Sequence, residues 1–277
     1  MKSLYDIPAP AKLNLFLHIV GRRADGYHLL ESAFMLIDWC DTLHFELRSD
    51  GQVSREDLNT PLPTDDLIVR AARALQKLSG TRLGAHIAID KRIPSQAGMG
   101  GGSSDAASTL LALNRLWQLK LGLDTLLPLG LTLGADVPFF LGGRNAWVSG
   151  IGEKLSPIDL PAAQFLVVKP DEGVATERIF SHPQLNRDSK TAIISGFAAD
   201  AYGFGRNDLQ AVAQQICPGI SQALAWLISM GLSGRMTGSG SAVFARTLHD
   251  VNTQVTPGFQ VKQCHNLPAH PLRGWVE

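Results

Sequence analysis

Apolar and polar positions alternate from Ala11 to Ile19: Leu13, Leu15, Leu17 and Ile19 fall on one face, Lys12, Asn14, Phe16 and His18 on the other. A period of two predicts a strand with one apolar face. Arg22 to His28, carrying Asp25-Gly26, predicts a turn, and alternation resumes at Leu43, Phe45 and Leu47 as a further strand. The period then changes. Asp65-Asp66 precedes Leu67, Ile68, Ala71, Ala72 and Leu75, the spacing of a helix capped by an acid and closed near Gly80. His86 to Asp90 alternates again, and after the glycine-rich run Pro94 to Ser104 a helix is predicted from Asp105 to Trp117, with Leu110, Leu113 and Trp117 on one face.

Beyond Pro157 and Pro161 a strand is predicted at Phe165 to Val168. Two helices follow, Asn207 to Ile216 and Gly219 to Met230, parted by Pro218, with Gly231 as a C-cap and a strand at Ala242 to Ala245. A chain of 277 residues exceeds the usual size of one domain, so two are expected, 1–156 and 157–277. Neither a repeat nor a low-complexity tract interrupts them.

Composition narrows the function. Hydrophobic residues make up 45% and charged residues 18% of the chain, values of a folded globular protein. Lys plus Arg and Asp plus Glu balance at 25 each, which leaves no net positive charge to hold a nucleic-acid backbone or an anionic membrane. Met1 to Leu15 lacks the apolar core of a signal peptide and no later segment suits a membrane helix, so the expected location is the cytoplasm. Cys40, Cys217 and Cys264 are few, odd in number and far apart, which predicts reduced thiols, and the histidines show no metal-ligand spacing. Any metal is expected to arrive with a nucleotide.

The strand, glycine loop and helix around Pro94 to Ser104 form an arrangement that can bind phosphate: backbone N–H groups approach the anion and the helix N-terminus adds partial positive charge. It is not a Walker A loop, because the glycines run into Ser103-Ser104-Asp105 without a lysine. The dinucleotide fingerprint fails at its third glycine, which is Ser103, and the HRD and DFG signatures of protein kinases are absent. Ser103 and Ser104 can cap the helix, reach a phosphate or its magnesium, or do both. Asp105 is expected in the first helical turn, complementing the dipole.

Three segments together resemble, in order and over nearly the whole chain, the motifs of the galactokinase, homoserine, mevalonate and phosphomevalonate kinase (GHMP kinase) family. They are Pro8 to Leu15, Pro94 to Ala107, and Arg235 to Phe244 with Thr237-Gly238-Ser239-Gly240-Ser241. Arg23 to His28, Leu133 to Phe140 with Gly134-Ala135-Asp136-Val137-Pro138, and Gly150 to Glu153 resemble the family branch that acts on diphosphocytidyl-methylerythritol. The resemblance implies an α+β fold of two lobes, the first like domain two of ribosomal protein S5 and the second ferredoxin-like. It implies ATP as phosphate donor, Mg2+ as companion ion, and transfer of the γ-phosphate to the C2 hydroxyl of the methylerythritol part. Small molecules are the expected partners, with a homodimer left open.

The same resemblance distributes roles. Asp136 orients the hydroxyl and accepts its proton, and Lys12 keeps that carboxylate ionised while offsetting charge on the transferred group. Pro94, Ser95, Gln96, Ala97, Gly98, Met99, Gly100, Gly101, Gly102, Ser103 and Ser104 hold ATP, with Asp66 near the adenine. Asp66 stands where the family pattern places asparagine, and a carboxylate cannot donate an amide N–H. Asn14 and Thr176 contact the acceptor, Tyr27 and Phe180 stack on cytosine, and His28 hydrogen-bonds it.

Plainer readings stand beside these: Asp136 as a helix cap, Lys12 as a solvated strand lysine, Tyr27 and His28 as residues closing a turn, Phe180 as helix core. Two other functions are also open. A sister kinase for mevalonate or homoserine would keep the glycine loop without a cytosine clamp, and a binding protein built on the same lobe would show a basic surface and salt-dependent nucleic-acid affinity.

Overall fold

The computed structural model describes residues 2–251 and 258–276. The chain opens with two long antiparallel strands, β1 (Ser3–Arg22) and β2 (His28–Arg48), followed by β3 (Val53–Asp57), α1 (Leu67–Ser79), β4 (Gly84–Asp90) and α2 (Gly101–Leu116). Next come α3 (Leu123–Leu133), α4 (Val137–Gly142), β5 (Ala146–Ser149) and β6 (Lys154–Pro157). The first sheet runs β3-β4-β2-β5-β6, with β1 paired to β2; β3 and β4 are parallel. The second part holds β7 (Gln164–Pro170), α5 (Thr176–Phe180), α6 (Ile194–Ala199), α7 (Gln210–Ile216), α8 (Pro218–Ser229), β8 (Gly234–Met236), β9 (Val243–Thr247) and β10 (Phe259–His265). Its antiparallel sheet runs β10-β7-β9-β8, so the fold is α+β with two lobes.

The expected helix over 67–79 forms for the reasons its sequence gives: Asp66 caps it by accepting from the Val69 N–H at 3.0 Å, and Gly80 closes it at φ 67°. Its buried residues Ile68, Ala71, Ala72 and Leu75 pack with α2 against the first sheet. The strand at β1 differs from expectation. Lys12, Asn14, Phe16 and His18, expected on a polar face, are all buried, because that strand lies between two cores. Leu13, Leu15 and Phe16 meet Phe165, Val167 and Phe244 of the second sheet in a core shared by both lobes. A period of two reports one wet face only when no second layer covers it.

We propose the division at 156–157 as the lobe boundary, one residue before β6 and the first sheet end at Pro157. The C-terminal segment nonetheless returns to the first lobe. Leu267 N–H donates to the Leu36 carbonyl at 2.8 Å, His270 N–H to that of Gly143 at 2.9 Å, and Leu272 and Val276 join the first-lobe core.

Candidate functional site

The helix after the glycine run begins at Gly101 rather than Asp105, so two glycines form its first turn. Glycine is a poor helix former, but a Cβ on Gly101 would lie 3.0 Å from the Ile93 side chain and 3.1 Å from Lys91 Nζ. Packing thus selects glycine there against its propensity. Asp105 sits in the second turn, buried, where it accepts from Lys91 Nζ at 2.8 Å. The early start leaves the N–H groups of residues 101–103 without partners inside the helix and directed at the cavity in front of it.

That cavity, about 660 Å³, lies between the lobes. Every expected loop residue from Pro94 to Ser103 lines it, as do Lys12, Asn14, Asp66, Asp136, Thr176 and Phe180. Ser104, Tyr27 and His28 do not. Ser104 is wholly buried with an unpartnered hydroxyl, which leaves Ser103 as the member of that pair facing the cleft. Tyr27 is 61% exposed at the turn before β2, while His28 packs on Phe180 with ring centroids 5.1 Å apart.

Lys12 and Asp136 meet, Nζ to Oδ2, at 3.6 Å. Asp136 occupies the cap position of α4 yet caps nothing with its side chain, which leaves the carboxylate free toward Lys12. Lys12 is 4% exposed; Nζ donates to Asn14 Oδ1 and lies 4.6 Å above the Phe34 ring. Burial pushes its ammonium pKa below the ordinary value, and Asp136 pulls it partly back. Asn14 is fixed on all sides: its N–H donates to Thr237 Oγ1 at 2.8 Å and its amide to Ser32 Oγ at 2.9 Å.

The three motifs interlock through backbone. Lys12 N–H donates to the Met99 carbonyl at 3.0 Å and Ser241 N–H to that of Gln96 at 2.9 Å. A Cβ on Gly98, at φ 72°, would meet the Thr237 carbonyl oxygen and, at 2.8 Å, the Gly240 nitrogen. The glycines at 98 and 238 are there because two backbones pass in contact.

Sequence reasoning assigned no role to several cleft residues. Lys91 lines the cavity beneath the helix start and is held by Asp41 and Asp105. Although burial opposes it, Asp105 and Asp41 raise its pKa, so it stays charged beside the open N–H groups of the helix start; burial pushes the Asp105 carboxyl upward and Lys91 pulls it partly back. Gly238 to Gly240 line the opposite wall, and Ser239 Oγ shares a hydrogen bond with Thr176 Oγ1 at 2.8 Å. The motif at 235–244 signalled this loop but not its contacts.

Asp66 is engaged as an acceptor: besides capping α1, its Oδ1 lies 2.6 Å from Arg55 Nη1. Asp66→Ala is expected to lower stability by about 1 kcal/mol for the lost cap, read as a fall of roughly 2–4 °C in Tm. Asp66→Asn, which keeps an acceptor for Val69, is expected to lose less.

A two-lobed α+β fold with a helix N-terminus, a lysine and a carboxylate converging on one cleft is that of a small-molecule kinase. The family model for the GHMP kinases N terminal domain matches residues 66–144 and that for the GHMP kinases C terminal matches 190–253. The chain belongs to the GHMP kinase family.

It is 72% identical over 277 residues to the 4-diphosphocytidyl-2-C-methyl-D-erythritol kinase of Albidiferax ferrireducens, covering all of this chain and 96% of that protein. The enzyme of the same name from Variovorax paradoxus is 61% identical over 295 residues and is covered in full, as is this chain. Among solved structures, a crystal structure of 4-(cytidine 5'-diphospho)-2C-methyl-D-erythritol kinase superposes with TM-score 0.77 at 35% identity, over 89% of this chain and 90% of that one. Methanococcus jannaschii mevalonate kinase shares the fold at TM-score 0.69 and 15% identity, over 96% of this chain and 98% of that one.

Proposed function

We infer that this protein is an ATP-dependent kinase that phosphorylates the C2 hydroxyl of 4-diphosphocytidyl-2-C-methyl-D-erythritol, giving the 2-phosphate and ADP, in the non-mevalonate route to isoprenoid precursors. Full-length relatives of that name at 60–72% identity support the substrate. The observation that carries the chemistry is Lys12 Nζ 3.6 Å from Asp136 Oδ2, beside the open N-terminus of α2.

In this reading the N–H groups of residues 101–103 and the charge of Lys91 hold the nucleotide phosphates. Asp136 hydrogen-bonds the acceptor hydroxyl and takes its proton late, as the oxygen bonds to phosphorus and its acidity rises. Lys12 lies between that carboxylate and the incoming phosphoryl group, where a desolvated ammonium offsets charge most effectively. Asn14 orients Lys12 through their hydrogen bond.

Among the described residues no group of three His, Cys, Asp or Glu side chains could hold a metal alone. A nucleotide-borne Mg2+ needs only one or two protein oxygens, and the Ser103 hydroxyl, which lines the cleft, fits that requirement. When bound, the ion neutralises charge on the phosphates.

The acceptor end lies toward Thr176 and Phe180, and Phe180, with the His28 ring packed on it, gives the cleft an aromatic wall suited to a base. That wall favours a nucleotide-linked alcohol over mevalonate or homoserine. A cytoplasmic site is part of the proposal, and none of the described helices is long and apolar enough to cross a membrane. Initial rates of ADP release with a panel of acceptors test it: diphosphocytidyl-methylerythritol, its uridine analogue, mevalonate and homoserine. The cytidine compound is expected to be strongly preferred; turnover with mevalonate or homoserine alone would retain the kinase and overturn the acceptor.

A further inference from the structure

Arg187, in the segment after α5, donates in four directions. Its Nε–H reaches His28 Nε2 at 3.1 Å, Nη1 the Leu185 carbonyl at 3.0 Å, and Nη2 the carbonyls of Phe180 at 3.1 Å and His182 at 2.9 Å. Among the described residues it forms no salt bridge. The guanidinium is thus fixed to the carbonyl end of α5, and its one side-chain partner among the described residues is an imidazole 159 positions away in sequence.

A guanidinium has donors only, so the nitrogen facing it must present a lone pair. His28 Nε2 is therefore unprotonated, and the ring proton resides on Nδ1. No described residue hydrogen-bonds Nδ1, and the ring rests on Phe180 of the cleft wall. We propose that Arg187 is a positioning residue for base recognition, holding His28 as the Nδ1–H tautomer so that the acceptor site accepts cytosine and rejects uracil.

The discrimination follows from the edges of the two bases. Cytosine offers lone pairs at N3 and O2, whereas uracil carries an N–H at N3. A fixed Nδ1–H donor pairs with the first and opposes the second, and a desolvated donor left without a partner lowers affinity by about 10- to 100-fold. The opposite tautomer, with a lone pair on Nδ1, would suit uracil instead.

The charges acting on His28 agree. Burial lowers its pKa from 6.5, and Arg187 and Arg22, the latter at the end of β1, lower it further. The ring is neutral at neutral pH, as a tautomer-based reading requires, and loss of Arg187 raises that pKa.

The inference rests on the proposed acceptor, and the test separates the two. Nitrogen-15 NMR of the wild-type histidine rings is expected to show His28 with Nδ1 protonated and Nε2 bare; a protonated Nε2 would overturn the inference, and no variant need fold for this reading. Ratios of kcat/KM for the cytidine compound over its uridine analogue are then compared in wild type, Arg187→Met and Arg187→Lys. Arg187→Met is expected to lower the ratio about 10- to 100-fold, with the KM for ATP little changed and the His28 pKa raised. Arg187→Lys, which keeps one donor, should retain part of the preference. An unchanged ratio in Arg187→Met sinks the tautomer lock while leaving the kinase assignment intact, whereas a wild type that ignores the cytidine compound refutes the acceptor itself.

Discussion

Asp136→Asn is expected to lower kcat by about 100- to 10,000-fold, the range contributed by a positioned proton acceptor, while ATP still binds. The substitution is nearly isosteric, and the Asp136 side chain caps no helix, so α4 does not depend on the carboxylate. Its partner is Lys12 at 3.6 Å, and an amide there can orient a hydroxyl but cannot take its proton. The effect should fall on kcat, because proton acceptance matters as the new bond forms and little in the ground state. Steady-state kinetics with both substrates varied, together with a direct ATP-binding titration, separate these contributions. Near-normal kcat would remove Asp136 from the chemistry and leave it as the residue that precedes α4.

The second large effect is structural. Gly98→Ala adds a methyl group where the Thr237 carbonyl and the Gly240 nitrogen already stand, at a backbone φ of 72°. Both obstacles are backbone, so neither can rotate away, and the approach is mutual: a Cβ on Gly238 would lie 2.6 Å from the Gly98 carbonyl oxygen. Overpacking of about 1–3 kcal/mol adds to roughly 1–2 kcal/mol for a left-handed alanine. Tm is expected to fall by on the order of 10 °C, and the KM for ATP to rise at least about tenfold, because the loop proposed to hold the phosphates is pushed off Thr237 and Gly240. Gly102→Ala is the control for stability, since its Cβ would find only a Leu67 methyl, at 3.6 Å. Thermal unfolding of the two variants side by side reads the difference; equal stability would show that the contact between the two loops tolerates a methyl group.

Local signals were legible wherever a segment's structure depends on its own residues. The helix between Asp66 and Gly80 carries both caps in sequence, and the strand expected at 86–90 lies within β4. Pro218, read as a separator between two helices, instead opens α8, where a residue without an N–H loses nothing. The helix expected from Asn207 starts only at Gln210, because the Asn207 amide is drawn to the carbonyls of Met236 and Gly238. The start of α2 was misplaced by four positions, since glycine's low propensity conceals a first turn selected for close approach.

Tertiary partnerships left no local trace. Lys91 meets Asp41 from 50 positions away, and Arg187 meets His28 from 159. The motif residues Lys12, Asp136 and Phe180 could be named from their segments, whereas the side chains that hold their neighbours in place could not. Tyr27 shows how far a segment alone reaches: its position fits a stacking residue, and its side chain is 61% exposed at the turn before β2, while the neighbouring His28 packs on Phe180.

The proposed reaction moves the γ-phosphate of ATP onto one alcohol of a cytidine diphosphate compound. Phosphorus-31 NMR of a reaction with ATP, Mg2+ and diphosphocytidyl-methylerythritol tests it most directly. We expect one new phosphomonoester resonance, assigned to C2 by its coupling to the carbon skeleton, growing in step with ADP while the acceptor's diphosphate signals persist. ADP appearing with inorganic phosphate alone, or a phosphomonoester at another hydroxyl, would contradict the account.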